Sequence, residues 1–170
     1  MSTSTLLISL YEQKAAIDRE FLAALADAPL SPENRHIAVR TLNHIHTVDR
    51  IFAAQLRGEP HGFAASNTEA TPTLDELRAS VEQVDGWYVD YVRTLRPEQF
   101  EEVLSFRFTD GDAGRMSREE ILAHVIHHGS HHRGNVGMLM KLIDTPPPRD
   151  LFTRYLHQNE PQRREEAGAC

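Results

Sequence analysis

The chain has 170 residues, with 25 acidic against 18 basic side chains and a net charge of -7. That length predicts one domain, able to bury on the order of 70% of the unfolded chain's surface without a staple. Net negative charge and scattered lysines and arginines argue against the clustered basic surface that grips a nucleic-acid backbone, so no nucleic-acid partner is expected.

From about Ser4 to Ala26, Leu6, Leu7, Leu10, Ile17, Phe21 and Leu25 recur at three- and four-residue steps, with Lys14, Asp18 and Arg19 off that stripe. This predicts a first amphipathic helix. The charges Glu12, Lys14, Asp18, Arg19 and Glu20 leave no apolar run long enough for a signal peptide or a membrane span. A cytoplasmic protein with no membrane partner is expected. Ser31 and Pro32 open a second helix to about Arg57, the serine as cap and the proline where a missing N–H costs nothing. Its expected buried stripe is Ile37, Thr41, Leu42, Ile45, Val48, Ile51, Phe52 and Leu56, and Gly58 with Pro60 stops it. Asp49 and Arg50 read as solvated charges on its flank.

Residues 58 to 72 lack a helical period and read as a long crossover loop, in preference to a segment that closes a pocket. Thr73 and Glu76 form a capping box that opens a third helix to about Leu95, in which Trp87 reads as core packing. Arg96 and Pro97 end it. Residues 102 to 109 alternate with period two before Asp110-Gly111-Asp112, which predicts a short extended or hairpin segment. Ser117 and Glu120 form a second capping box, opening a fourth helix to about Leu142, and Pro146, Pro147 and Pro148 forbid its continuation. Asp150 to His157 reads as a last short helix. The expected organisation is all-α: a four-helix bundle with a long crossover between helices two and three and a short extended segment before helix four. One domain spans 1–160, and 161–170 is a loosely held tail. The single cysteine, Cys170, ends the chain and can form no internal disulfide.

The chemistry gathers between His124 and Asn135, which holds five of the ten histidines. His124, His128 and His132 fall at i, i+4 and i+8, with neighbouring Cβ atoms about 5–6 Å apart on one helix face. An adjacent imidazole pair can aim nitrogens at a point about 2.0–2.1 Å from each, as a shared transition metal requires. Ile121, Val125, Val136 and Leu139 mark one apolar edge of this helix, and Leu122, Ile126, Met140 and Ile143 another. His128 and His132 lie between them. A lone buried histidine is ordinarily a hydrogen-bonded core residue, but two at this spacing without a metal leave polar atoms to satisfy in a dry place.

Helix two supplies the candidate third ligand, His44 or His46. These are about 200° apart, so at most one faces a given point. His44 follows Thr41 by three residues and precedes Val48 by four, which turns His46 toward the outer face. His127 and His131 are rotated by about 100° from the proposed pair and point outward or to a partner subunit. His36 and His61 read as surface or loop residues. His124 is ambiguous between extending the site and orienting a ligand, while Arg133 and Asn135 read as supporting or substrate-contact groups. Three imidazoles with open positions make a catalytic rather than a closed structural site, with a Lewis acid that lowers the pKa of water or a thiol. Softness admits zinc, nickel, copper, cobalt or iron.

The segment Thr41-Leu-Asn-His-Ile-His-Thr-Val-Asp-Arg-Ile-Phe52 resembles the second-helix signature of DinB-like proteins, and His127-His-Gly-Ser-His-His-Arg-Gly-Asn135 resembles their fourth-helix His-x-x-x-His-Arg-Gly motif. The likeness runs to about residue 160. It implies a DinB/YfiT-type four-helix bundle, often a homodimer, with a divalent metal, zinc or nickel first, held by His44, His128 and His132. Relatives of known activity include metal-dependent thiol S-transferases and a thiol-dependent isomerase. The resemblance therefore implies an enzyme that uses a low-molecular-weight thiol, or water, against a small-molecule electrophile. The rival is a noncatalytic metal- or ligand-binding protein. The chain departs from the common pattern at Phe52, where an indole is frequent, and at Asn135, where glutamine is; both bear on pocket shape. A ferritin-like di-iron site needs two Glu-x-x-His motifs and two further helix glutamates. Only Glu33-Asn-Arg-His36 has that form.

Overall fold

The computed structural model describes residues 2–162. It is mostly helical: α1 (Thr3–Asp27), α2 (Pro32–Arg57), α3 (Leu74–Thr94), α4 (Arg118–Lys141) and α5 (Phe152–Asn159), with strands β1 (Val103–Arg107) and β2 (Ala113–Ser117). The expected tail, 161–170, lies outside the described residues except for 161 and 162. No described helix is long and apolar enough to cross a membrane.

Local chemistry sets the boundaries. Ser31 Oγ accepts the Asn34 amide at 3.2 Å, and Pro32 takes the first turn of α2. Gly58 ends α2 in the left-handed region at φ 71°, which a side chain would strain. Thr73 with Glu76, and Ser117 with Glu120, form reciprocal capping boxes at the starts of α3 and α4. The extended segment is an antiparallel hairpin in which Phe106 faces Gly114 and Val103 faces Ser117. Because Ser117 is both the last residue of β2 and the cap of α4, the hairpin feeds the histidine-bearing helix with no intervening loop.

The long helices pack so that α1 lies against α3 and α4, and α2 against α4 and α3. The apolar interior is in two parts. One gathers Ile17, Phe21, Leu25, Leu42, Ile45, Leu77, Val136 and Met140; the other gathers Leu7, Tyr11, Val48, Phe52, Tyr88, Val92, Ile121 and Val125.

Between the two parts runs a layer of buried charge that the expected stripes omit. Lys14, Asp18, Asp49, Asp85 and Arg133 are each at most 6% exposed. They fall at or beside the point where one apolar part gives way to the other: Tyr11 to Ile17 on α1, Ile45 to Val48 on α2, Val81 to Tyr88 on α3, Val125 to Val136 on α4. Lys14 Nζ lies 2.8 Å from Asp18, 2.8 Å from Asp49 and 2.5 Å from Asp85. Arg133 donates to Asp18 at 2.9 Å and to Asp150 at 2.8 Å, and Gln13 donates to Asp150 at 2.7 Å. The layer thus ties all four long helices to the segment leading into α5. Lys14 and Asp18 are on the buried stripe of α1 after all, because each finds a partner of opposite sign inside. Asp49 is likewise not a solvated flank. In the other direction Leu6 and Ile37, expected on buried stripes, are 39% and 44% exposed.

Candidate metal centre

Three imidazoles converge where α2 crosses α4. His44 comes from α2, and His128 and His132 from successive turns of α4. Ring centroids are 4.8 Å apart for His44 and His128, 4.7 Å for His44 and His132, and 4.6 Å for His128 and His132. One nitrogen from each lies within 4.8 Å of the other two, an arrangement that could hold a metal ion. Two donors about 2.0–2.1 Å from a common ion lie about 3 Å apart when they subtend a right angle. His44 Nε2 and His128 Nε2 are 3.0 Å apart.

The loop after α2 sets the protonation of His44. Its Nδ1 is 2.7 Å from the carbonyl oxygen of Ser66. A carbonyl only accepts, so Nδ1 donates, and the tautomer with its proton there presents the Nε2 lone pair to the cluster. A ring held this way by a backbone carbonyl is the usual arrangement behind a metal-ligating histidine. Residues 58–73 therefore do more than cross between helices.

Electrostatics also suit a cation. Burial first, and then the neighbouring rings of His132 and His44, push His128 down to about 3. His132 is lowered by burial and by His44 and His131. Both rings are thus neutral at pH 7, as ligation requires. His128 Nδ1 is buried without a hydrogen-bond partner. Without an ion, His128 Nε2 can donate to the His44 Nε2 lone pair at 3.0 Å, and the same two nitrogens are close enough to share a metal. The donor set therefore fits a divalent transition metal.

A cavity of about 210 Å³ adjoins the cluster, lined by His44, His128, Ser66, Phe52, Phe106 and Phe108 among others. Its aromatic wall is built by the hairpin. Phe106 meets Phe52 edge-on at 6.0 Å and Phe108 at 5.1 Å. A Cβ on Gly114 would fall 2.6 Å from Phe106 and 2.8 Å from Phe108, so the small residue opposite Phe106 lets both rings lie across the strand.

The other expected residues scatter. His124 lies beside the site, its ring stacked on His128 at 5.6 Å and tilted against Phe52 at 4.9 Å, where it lines the cavity. His46 is not on the outer face. It is 4% exposed and its Nε2 pairs with Ser80 Oγ at 2.7 Å, while burial and the Arg50 and Lys14 charges push it down to about 4. The 200° separation holds, but α2 is covered on both sides, so His46 is buried and His44 half-buried. Arg133 is no substrate contact: it is 1% exposed and spent on Asp18 and Asp150. His127, His131 and Asn135 are exposed.

Sequence reasoning did not reach Ser66, Phe106 or Phe108. A backbone carbonyl has no side-chain signature, and Phe106 in β1 and Phe108 just past its end are linked only by a spacing of two. The model of the DinB family matches residues 1–165. No curated protein matches the chain.

Proposed function

The chain belongs to the DinB family, and from that premise we propose that His44, His128 and His132 hold one divalent transition-metal ion in the service of an enzyme. The reaction is attack by a thiol or water on a small electrophile, of the thiol S-transferase or hydrolase type. A bound ion supplies Lewis acidity, which makes thiolate or hydroxide available near neutral pH. The protein's own part is to keep the donors neutral and aimed. Ser66 holds the His44 ring, and burial keeps His128 and His132 unprotonated. Phe52, Phe106 and Phe108 shield the cavity from water and favour an electrophile with an apolar body. The long helices are read as one four-helix bundle and the working species as a cytoplasmic homodimer, which mass in solution checks.

The observation that carries the reading is the His44 ring, fixed by Ser66 with its Nε2 lone pair toward two neutral imidazoles. Elemental analysis of freshly purified protein should find about one transition-metal ion per chain. In His128→Ala and His132→Ala that content should fall by tenfold or more, with the helical circular-dichroism signal kept. Undiminished metal in both variants sinks the site. Metal-loaded protein should consume a low-molecular-weight thiol with a panel of small electrophiles. Metal binding without turnover, where an active relative turns over, would instead support a noncatalytic binding role.

A further inference from the structure

A second cavity, of about 410 Å³, lies between α2, the loop after it and α3. That size is in the range of small-molecule sites, roughly 300–1,000 Å³. Arg50 and Arg57 come from α2, His61 and Phe63 from the loop, and Gln83 and Trp87 from α3. Arg50 and Arg57 leave α2 on the face away from His44, so this cavity is separate from the histidine cluster. Among the described residues no carboxylate lines it, in a chain whose net charge is -7.

The two guanidiniums are held by aromatic rings rather than by acids inside the cavity. Arg50 lies 4.7 Å over the Phe63 ring and Arg57 lies 4.9 Å over Trp87. A guanidinium stacked flat on a ring keeps its N–H edge free to grip a planar or tetrahedral oxyanion. Arg57 gives its Nε to Glu59 at 2.7 Å, which leaves its two terminal nitrogens. Arg50 has no acidic partner among the described residues. His61 adds a neutral donor: its Nδ1 accepts the Phe63 amide at 3.0 Å, so the proton of the neutral ring is on Nε2. Tyr91 stacks on Trp87 at 4.8 Å and steadies the indole that carries Arg57. Trp87 is half-buried: it packs on the apolar part around Tyr88, as expected, and also forms a wall of this groove.

We propose that this groove binds a small organic or inorganic oxyanion, a carboxylate or a phosphate, between Arg50 and Arg57. Two forks, one imidazole donor and the Gln83 amide meet a single anionic head, and the rings of Phe63 and Trp87 border its body.

Trp87 is the single tryptophan of the chain, so its fluorescence reports this groove alone. The full-length protein is titrated with sodium benzoate and, separately, with sodium phosphate, each at ionic strength matched with sodium chloride. A saturable change absent from the chloride control is expected with at least one anion. Response to benzoate alone assigns a carboxylate, and response to phosphate alone assigns a phosphate. Arg50→Ala should weaken the apparent affinity about tenfold or more, and Arg50→Lys less, because charge persists while the fork is lost. Arg50 is exposed and stacks on Phe63, while Arg57 is the arginine over Trp87, so loss of Arg50 should leave fold and reporter in place. His128→Ala should leave the titration unchanged. A change that does not saturate, that chloride reproduces, or that survives equally in Arg50→Ala overturns the proposal.

Discussion

Two triads in this protein meet the same geometric condition. The donor atoms of His44, His128 and His132 lie within 4.8 Å of one another, and so do those of Asp18, Asp49 and Asp85. Only the first is suited to a metal, because the centre of the second is already filled. Lys14 Nζ sits among the three carboxylates, and its three N–H groups can serve one each. An ion there would have to displace a cation that is itself fully buried. The histidine triad has no cation at its centre and offers neutral donors, one of them with its outer nitrogen already committed to Ser66. Spacing nominates a site; the charge already present decides it.

The carboxylate layer is also over-supplied with anions. Lys14 and Arg133 face Asp18, Asp49, Asp85 and Asp150. Burial accordingly raises Asp85 and Asp49 against the pull of Lys14, whereas Lys14 and Arg133 together overcome burial at Asp18 and lower it. Lys14→Met should therefore be the most damaging change in the protein. It leaves Asp49 and Asp85 without a cation in a dry interior and Asp18 with Arg133 alone, and a broken buried pair costs about 3–5 kcal/mol. Urea denaturation measures this. A loss below about 1 kcal/mol would show that the layer reorganises without its ammonium. By contrast His128→Ala removes one ring from an already partly open cluster and should lower stability much less.

The next effect separates the two regions by pH. His46, beside the charged layer, is neutral down to about 4, whereas an unfolded-chain histidine titrates near 6.5. Between those values the unfolded chain takes up a proton that the folded one refuses, so acidification lowers stability across that window and leaves it unchanged above. The size is on the order of 3 kcal/mol. Asp85 acts with opposite sign, since its raised pKa lets the folded chain hold a proton that the unfolded chain has released. A difference experiment isolates the histidine. His46→Gln can keep the contact to Ser80, and the gap between its stability and that of wild type, both in chelator, should change from pH 6.5 to 4. A gap constant with pH would mean that His46 titrates normally in the folded protein.

The sequence displayed the helices and two of the three histidines for the same reason: both depend on periodicity within one element. The stripe of α4 placed His128 and His132 inward with no reference to any other helix. His44 needed the resemblance as well, since spacing alone left His46 in contention. The charged layer was half visible. Tyr11, Lys14, Asp18, Phe21 and Leu25 step by three and four along one face of α1, but a charge on that face reads as a flank until its partners are known. Those partners stand on α2, α3 and α4, so their pairing is a tertiary fact. Ser66 was invisible for a related reason, because it acts through a carbonyl that every residue has.

The smallest expected effect tests whether the two regions are mechanically joined. On α4 they alternate residue by residue: His128 and His132 face the triad, and Gly129 and Arg133 face the carboxylates. A Cβ on Gly129 would fall 2.9 Å from Arg133 Nη1 and 3.6 Å from Ile45. The end of an arginine can usually move aside, but this one is clamped at 2.9 Å by Asp18 and 2.8 Å by Asp150. Gly129→Ala gains about 1 kcal/mol in helix propensity, while overpacking typically costs about 1–3 kcal/mol. A net loss of about 1 kcal/mol is expected in urea denaturation. Metal content should not change, because the added methyl points at the guanidinium and not at the imidazoles. If metal content falls with stability, Arg133 and the triad move as one body, and the ion pair to Asp150 helps to hold the metal ligands. If stability rises instead, the guanidinium has room that its two carboxylates were thought to deny it.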